Sequence, residues 1–251
     1  MPQFSLRSWW IIVVVLVLQV SLAEAGGTQR PLFDGKSLAG WTMIDGQPIT
    51  RGWEVVDGAI HFKPSEHSTG HIVTDHEVGD FDLSFEWKIS TGGNSGLKYR
   101  VRDYHGRTLG CEYQIIDDAQ HSDALQPNHQ TGALYDLYEP SAARFMNPPG
   151  EYNLARIVVH CNKVQHWLNG RLIVSATIGS PDWKARLARS KFAEHPEFSL
   201  NNRGKIMLTD HGDEVWYRNF EFHSLPECRP ATSQRRHLGP IRKWIRSLRC
   251  R

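Results

Sequence analysis

The stretch GCEYQIIDD, residues 110–118, places carboxylate and amide side chains at a spacing that could serve catalysis. Alternation of residue type over 111–115 predicts a strand with Glu112 and Gln114 on one face and the less polar side chains on the other. Asp117 follows where the alternation stops. A carboxylate can exchange protons with a bound substrate, and an amide can orient it. Glu112 and Asp117 are therefore candidate catalytic residues, and Gln114 is a candidate substrate-binding residue.

Other polar side chains lie in segments that a folded sheet could bring beside this strand. GLKYRVR, residues 96–102, alternates so that Lys98 and Arg100 are predicted on the polar face of a neighbouring strand. We expect His211 to be catalytic, and we expect the substrate to be bound by residues from four segments, namely Asn94, Lys98, Arg100, Tyr135 and Asp210. The alternative is a solvated sheet surface whose cross-strand charge pairs stabilise by about 0.2–1 kcal/mol each.

The elements that must position these residues are short strands. FDLSFEWKI, residues 81–89, alternates without a break, and RLIVSAT follows VQHWL across Asn169-Gly170, a strong hairpin signal. Helical periodicity is almost absent, apart from a short surface helix predicted within 182–192. The pattern predicts an all-β, concanavalin A-like jelly-roll sandwich of two antiparallel sheets.

Composition and charge divide the chain into three parts. Residues 1–25 combine Arg7, an apolar run and Ala23-Glu24-Ala25, which predicts a signal peptide and hence a secreted or periplasmic protein. Residues 26–225 form the predicted jelly-roll domain, with a net charge of −5, because the whole chain is +2 and the tail is +7. An acidic body does not indicate nucleic-acid binding. In the tail, 226–251, GPIRKWIRSLRCR predicts a basic amphipathic helix that could make weak contact with an anionic surface.

Cysteine and histidine spacing leaves two questions open. Cys111, Cys161, Cys228 and Cys250 allow three disulfide pairings, and their spacing matches no zinc motif. A loose cluster of possible ligands for a divalent metal lies in turn-rich sequence, at His67, His71, Asp75 and His76. A solvated loop explains that cluster better, so we expect no cofactor, while a divalent metal at this cluster stays an open alternative.

Eight motifs in order resemble the bacterial 3-keto-disaccharide hydrolase domain family over residues 31–225. They are LFDGKSLAGW, GWEVVDGAI, GDFDLSFEWKIS, GGNSGLKYR, EYQIIDD, TGALYDLY, HWLNG and LTDHGDEVWYRNFEF. The resemblance implies a jelly roll that cleaves glycosides already oxidised to a ketone at sugar C3. It implies removal of the C2 proton, elimination of the C1 substituent and addition of water. Under it, Glu112 or His211 would be the base, Asp117 or Tyr135 the acid, and Arg100 or Lys98 the group that holds the enolate.

Two alternative functions of the sandwich stay open at this stage, and a third, a membrane- or envelope-associated structural protein, rests only on the basic tail. One is a retaining glycosidase of the laminarinase type, using Glu112 and Asp117, which a bulge would have to bring to one face of the strand. The other is a non-catalytic carbohydrate-binding module, for which the sandwich and its aromatic residues would serve equally well. The sugar, its linkage and the oligomeric state do not follow from the sequence.

Overall fold

The structure is a computed structural model, which describes residues 31–64, 70–226 and 228. Nearly every regular element in these ranges is a strand. The strands are β1 (Trp41–Met43), β2 (Trp53–Val56), β3 (Ala59–Phe62), β4 (Ile72–Thr74), β5 (Phe81–Ile89), β6 (Asn94–Tyr104), β7 (Arg107–Ile116), β8 (Asn153–His160), β9 (Lys163–Leu168), β10 (Arg171–Thr177), β11 (Lys205–Leu208) and β12 (Val215–Ser224). The helices in these ranges are α1 (Pro181–Leu187) and two 3-10 turns, Ser122–Leu125 and Pro127–His129.

The strands form two antiparallel sheets. One has five strands in the order β1-β4-β11-β6-β7, and the other has seven in the order β10-β9-β8-β5-β12-β3-β2. The predicted two-sheet sandwich of the jelly-roll class is therefore confirmed, as is the single short helix. None of the described helices is long and apolar enough to cross a membrane.

Alternating side chains explain how the sheets pack on each other. In β5 the burial alternates as the sequence predicted, with Phe81, Leu83, Phe85, Trp87 and Ile89 all buried. The apolar side chains of β6 and β7 meet them from the five-stranded sheet, and the Phe85 and Tyr113 rings pack edge to face at 6.1 Å. The opposite face of β6 and β7 is thereby left for polar residues.

A bulge in β6 reverses the predicted alternation after Tyr99. Tyr99 pairs with Cys111 and Arg102 with Leu109, so Arg100 and Val101 together oppose the single residue Gly110. Arg100 adopts a φ of 53° at this bulge, and its side chain is only 1% exposed. Prediction of a regular strand was wrong here, because one extra residue moves every following side chain to the other face.

The Arg100 guanidinium joins three parts of the fold. It donates to Ser199 O at 3.1 Å and to Cys161 O at 2.8 Å, and it lies 3.4 Å from the Asp80 carboxylate. Cys161 itself forms a disulfide with Cys228 across 67 residues, which resolves one of the open pairings. Cys111 is a buried free thiol. The disulfide thus ties residue 228 of the predicted tail to the β-sandwich.

Several sequence predictions concern residues outside the described ranges. These are the signal peptide at 1–25, most of the basic tail with its amphipathic helix, His67 and Cys250. They stay predictions.

Candidate active site

The outer face of β6 and β7 carries the centre of a polar pocket. Lys98 pairs with Glu112 across the two strands, and its Nζ lies 3.5 Å from Glu112 Oε2. The Glu112 side chain is 4% exposed, and its Oε1 has no hydrogen-bond partner among the described residues. A buried carboxylate oxygen without a donor is costly in a folded protein, which indicates that it is kept for a ligand or a reaction.

Glycine at position 96 makes room for that carboxylate. Gly96 lies on the same face, opposite Gln114 and two residues before Lys98. A side chain here would contact Glu112 Oε1 directly. Because glycine has no side chain, the Glu112 carboxylate can lie directly over the backbone at position 96.

Two amides extend the pocket along the strands. Gln114 Nε2 donates a hydrogen bond to Asn94 Oδ1 at 3.3 Å. The turn before β6 is held by Asp213, whose Oδ2 accepts from Asn94 N at 2.9 Å. The side-chain oxygen Oε1 of Gln114 and the side-chain nitrogen Nδ2 of Asn94 are suited to binding sugar hydroxyls.

The polar connection between β7 and β8 supplies a tyrosine. Tyr135 N donates to Glu112 O at 3.1 Å, which fixes this loop against β7. The ring of Tyr135 stacks on His129 at a centroid distance of 4.3 Å, and its hydroxyl donates to Asp123 Oδ2 at 3.0 Å. Desolvation and the Asp123 carboxylate raise the pKa of Tyr135. The phenol therefore stays protonated and presents its oxygen as an acceptor.

A second lysine reaches the pocket from the loop after α1. The Lys191 Nζ lies 4.0 Å from the centre of the Tyr135 ring, and Lys191 N donates to Asp136 Oδ2 at 2.7 Å. Desolvation by burial lowers the pKa of Lys191. The charge of Lys98 acts in the same direction, while the Glu112 carboxylate opposes the shift. Two ammonium groups thus face one carboxylate.

His211 lines the end of the pocket after β11, and His71 packs against it. His71 Nδ1 accepts from Asp210 N at 2.9 Å, so in the neutral ring Nε2 carries the proton. Burial lowers the pKa of His71 to about 4, and Lys98 and His211 add to the shift. His211 packs against His71 at a centroid distance of 6.0 Å. Desolvation lowers the pKa of His211, with Lys98 and Lys191 acting in the same direction, so both rings are neutral near pH 7.

The pocket encloses about 50 Å³ and gathers most of the side chains singled out from the sequence. Its walls are Asn94, Lys98, Glu112, Gln114, Tyr135, Lys191 and His211. A base, two cations and hydrogen-bonding groups around one small space can remove a proton from carbon and hold the resulting oxyanion.

Three predicted site residues have other surroundings. Arg100 lies on the far side of the bulge, bound to backbone carbonyls, so it is not beside Lys98 and cannot hold an enolate there. Asp117 caps the turns at the end of β7, where its oxygens accept from Gly92 N at 2.8 Å and Ala119 N at 3.0 Å. Asp210 accepts from Gly70 N at 2.9 Å and Gly212 N at 2.8 Å, and thereby shapes the turn that carries His211.

The glycosidase alternative required a bulge between Glu112 and Asp117. The pairing of β7 with β6 keeps one register from Cys111 to Ile116, so the two carboxylates are not brought together by a bulge. Glu112 and Asp117 are therefore not brought together by β7 as the pair of carboxylates that a retaining glycosidase uses.

Sequence reasoning missed Lys191 as a pocket residue and interpreted His71 only as a possible metal ligand. Lys191 fell within the predicted surface helix, whereas α1 ends at Leu187 and the following turns bring Lys191 over Tyr135. The signal that could have found it was the length of the 179–203 connection, because long loops in compact domains often carry function.

A metal site is not formed around His71 by the described residues. The described groups that come within ligand distance of each other are Asp80, His160, Cys161 and Cys228. Their two sulfurs are joined in the disulfide, so they cannot act as thiolate ligands while that bond is intact.

A two-sheet jelly roll with a polar pocket on one outer face serves many functions, so the family of the chain decides how this pocket is interpreted. Residues 28–223 match the 3-keto-alpha-glucoside-1,2-lyase-like domain, and the chain belongs to that family. The family resemblance noted from the motifs is thereby confirmed. Membership places the chain among proteins of hydrolase or lyase type that act on sugars.

Individual relatives agree with this assignment. A 3-keto-disaccharide hydrolase of Bacteroides thetaiotaomicron is 32% identical over 219 residues, which is 75% of each chain. A solved structure from Parabacteroides distasonis, described as a candidate glycosyl hydrolase, is 35% identical with a TM-score of 0.70, covering 78% of this chain and 93% of that one. A second P. distasonis structure, at 24% identity and a TM-score of 0.57, shares the fold and covers 78% and 98% of the two chains.

Proposed function

We propose that this protein cleaves glycosides whose sugar carries a ketone at C3, by elimination at C1–C2 followed by hydration. One observation carries the proposal: among the described residues the buried Glu112 Oε1 has no donor, while Oε2 lies 3.5 Å from the Lys98 ammonium. A base beside a fixed cation suits removal of a proton next to a ketone. The name of the Bacteroides thetaiotaomicron relative, a 3-keto-disaccharide hydrolase, supports the same substrate class.

The first half of the reaction is assigned to Glu112. Its carboxylate takes the C2 proton, which the C3 ketone has made acidic, and the C2–H electron pair forms an enolate with its charge on the C3 oxygen. The enolate then collapses to a C1=C2 double bond while the C1–O bond breaks. The leaving oxygen takes the proton from the Glu112 carboxylic acid, which returns the carboxylate to its starting state.

Lys98 and Lys191 are assigned to the enolate. Lys98 pairs with Glu112 across the strands, and Lys191 lies over the Tyr135 ring and lines the same pocket. Because both are fixed before the substrate arrives, they stabilise the developing negative charge without rearrangement. The ketone itself has no such charge, so the stabilisation acts mainly on the transition state.

The second half of the reaction is assigned to His211. A neutral imidazole can take a proton from the water that adds to C1, and the lowered pKa of His211 keeps it neutral at pH 7. The imidazolium then gives this proton to C2, which completes the hydration and restores the neutral ring. The sum of the two halves is hydrolysis of the glycosidic bond.

Assigning one residue to each half gives a direct test. Replacing His211 with Ala should leave elimination running and slow hydration, so the conjugated enone should accumulate. The enone is followed by its ultraviolet absorption during turnover of a 3-keto-glucoside. The exposed His76, changed to Ala, serves as the matched control and should give no enone.

Two results of that test contradict the assignment. If His211→Ala hydrolyses the substrate at the wild-type rate with no enone, His211 does not act in hydration. If the wild type binds glycosides tightly but cleaves neither the oxidised nor the parent form, a carbohydrate-binding module describes the protein better.

Export of the protein is a further part of the proposal. The Cys161–Cys228 disulfide supports it, because such bonds persist in oxidising compartments. Labelling of free thiols in protein taken directly from cells tests it. In denatured protein Cys111 should be labelled while Cys161 and Cys228 stay protected, and labelling of Cys161 and Cys228 would contradict export.

A further inference from the structure

The connection that follows β7 places a histidine between two carboxylates beside the candidate active site. Two 3-10 turns fold this connection back on itself, so that His129 meets Asp123 from six residues earlier. Asp136 adopts a φ of 61° and its N donates to Asn128 O at 3.0 Å, which brings the second carboxylate to the other ring nitrogen. His129 is buried in this arrangement, and Asp123, His129 and Asp136 together form a histidine bridge.

The histidine bridge uses both ring nitrogens of His129. Nδ1 lies 2.7 Å from Asp123 Oδ1, and Nε2 lies 3.2 Å from Asp136 Oδ1. Desolvation raises the pKa of Asp123, but hydrogen bonds from His129 and Tyr135 outweigh it and lower this pKa overall, so the carboxylate is ionised and only accepts. A neutral imidazole has one N–H, whereas two such contacts need two donors. The geometry is therefore that of a ring that donates on both sides.

Each carboxylate of the histidine bridge uses its second oxygen to hold a residue of the pocket. Asp123 Oδ2 accepts from the Tyr135 hydroxyl at 3.0 Å, and Asp136 Oδ2 accepts from Lys191 N at 2.7 Å. The Tyr135 ring also stacks on the imidazole at 4.3 Å, and the Lys191 Nζ lies 4.0 Å from the centre of the Tyr135 ring. One buried histidine is thus connected, through one carboxylate each, to two of the residues that line the pocket.

We propose that His129 is a positioning residue for the reaction, because the histidine bridge fixes Tyr135 and Lys191 in the pocket. The inference rests on the proposed function, in which the Lys191 ammonium stabilises the enolate. A cation stabilises a developing charge without rearrangement only if it is held in place before the substrate arrives. Lys191 comes from a loop, so its position depends on hydrogen bonds such as the one from Lys191 N to Asp136.

A second histidine offers a matched control on the other sheet. His61 in β3 lies between Glu54, at 3.2 Å from Nδ1, and Glu214, at 2.8 Å from Nε2. Its ring stacks on Trp216 at 4.7 Å, and it is 7% exposed, the same fraction as His129. β3 belongs to the seven-stranded sheet, whereas the pocket lies on the five-stranded one. A change at His61 therefore removes a similar pair of contacts without touching the pocket.

The first test compares His129→Gln with His61→Gln in the turnover of a 3-keto-glucoside. Glutamine has a single amide group, so it cannot donate to two carboxylates on opposite sides as the ring does. In His129→Gln we expect kcat to fall by roughly 10- to 100-fold with a much smaller change in KM, because a displaced Lys191 loses a contact made mainly in the transition state. His61→Gln should keep the wild-type kcat.

A double variant shows whether His129 acts through Lys191. In the Lys191→Met background, His129→Gln should lower kcat by less than about threefold, because the ammonium group that it positions is already absent. A further loss as large as the one seen with Lys191 present would contradict the proposal.

Failure of this inference and failure of the proposed function give different results. If the wild type cleaves the substrate while His129→Gln keeps the wild-type kcat, or while His61→Gln loses as much, His129 is not a positioning residue. If the wild type cleaves no 3-keto-glucoside, the proposed function fails, and a crystal structure of His129→Gln decides the positioning. Unmoved Tyr135 and Lys191 side chains in that structure would overturn the inference, and displacement of either would support it.

A second variant covers the case in which His129→Gln does not fold. Asp123→Asn replaces it in each measurement, because the amide keeps the shape of the carboxylate but removes one of its two acceptor oxygens. The Asp123 side chain is only partly buried, so this change should leave the sandwich folded. The same loss of kcat, or the same displacement of Tyr135 or Lys191, is expected, and absence of both would overturn the proposal.

Discussion

At the scale of single residues, the Glu112 carboxylate determines what the pocket can do. It is buried, has a lysine 3.5 Å away, and keeps one oxygen without a hydrogen-bond partner in the part of the chain that the structure describes. The sequence pattern placed Glu112, Gln114 and Lys98 on one face, because residue alternation in a regular strand is fixed. The pattern could not show that the Asp117 carboxylate accepts hydrogen bonds from backbone N–H groups of two turns, since that depends on where the chain reverses.

Gly96 offers a residue-scale test of how Glu112 is positioned. In Gly96→Ala the new methyl group would displace the end of the Glu112 side chain, which can rotate away without unfolding the sheet. We expect kcat on a 3-keto-glucoside to fall by roughly 10- to 100-fold while KM and the urea midpoint change little. The control is Ser175→Ala, at an exposed strand position. Gly150→Ala would be a poor control, because a φ of 89° strains any residue other than glycine even though no atom lies near the added Cβ. An unchanged kcat would show that the position of this carboxylate is not critical.

At the scale of elements, the β6 bulge separates what the sequence could predict from what it could not. Alternation predicted β5 from end to end and β6 up to Tyr99. One extra residue then sent Arg100 into the protein and Val101 onto the outer face. No local pattern marks a bulge of this kind, and the segment that packs against it is far away in sequence. Gly204 allows that packing, since a Cβ there would lie 2.5 Å from Arg100 C.

The buried Arg100 should be important for stability. In Arg100→Leu the Asp80 carboxylate, 6% exposed, would lose its cationic partner, and we expect the free energy of unfolding to fall by roughly 3–5 kcal/mol. Arg156→Leu is the matched control, because Arg156 pairs with Asp82 at the surface, where such pairs contribute about 0–1 kcal/mol. Urea denaturation measures both. Equal losses in the two variants would contradict the structural role given to Arg100.

At the scale of the whole molecule, two neutral histidines connect folding to pH. His166 is fully buried, its Nδ1 donates to Gly132 O at 3.0 Å, and burial lowers its pKa to about 4. The pKa of His71 is lowered to the same value. Between pH 6.5 and about 4 the unfolded chain binds more protons than the folded one, so stability is complete above pH 6.5 and falls as the pH drops through this window.

For His166 alone the loss between pH 7 and 4 should be about 3 kcal/mol. The variant His166→Gln should be less stable at pH 7 and should depend less steeply on pH, as measured by urea unfolding at several pH values. His76→Gln, at an exposed position, should keep the wild-type slope. An unchanged slope in His166→Gln would mean that this ring is not held neutral in the fold.

The two sheets could be predicted from the sequence, whereas only part of the pocket could. The sandwich class follows from strand length and turn residues, which are local properties. The pocket needs β6, β7, the connection that follows β7, the loop after α1 and the turn after β11. The first three follow one another in sequence, whereas Lys191 and His211 come from later segments. Alternation along two neighbouring strands predicted Lys98 and Glu112. It could not predict Lys191, which lies in a loop distant in sequence.

The central claim is that Glu112 removes a proton next to a C3 ketone, and turnover of a 3-keto-glucoside beside its unoxidised parent tests it most directly. The wild type should cleave only the keto form, and Glu112→Gln should lose roughly 100- to 10,000-fold of that rate. Glu221→Gln, at an exposed carboxylate of the other sheet, should keep it. Full activity in Glu112→Gln, or equal cleavage of the unoxidised parent, would contradict the account.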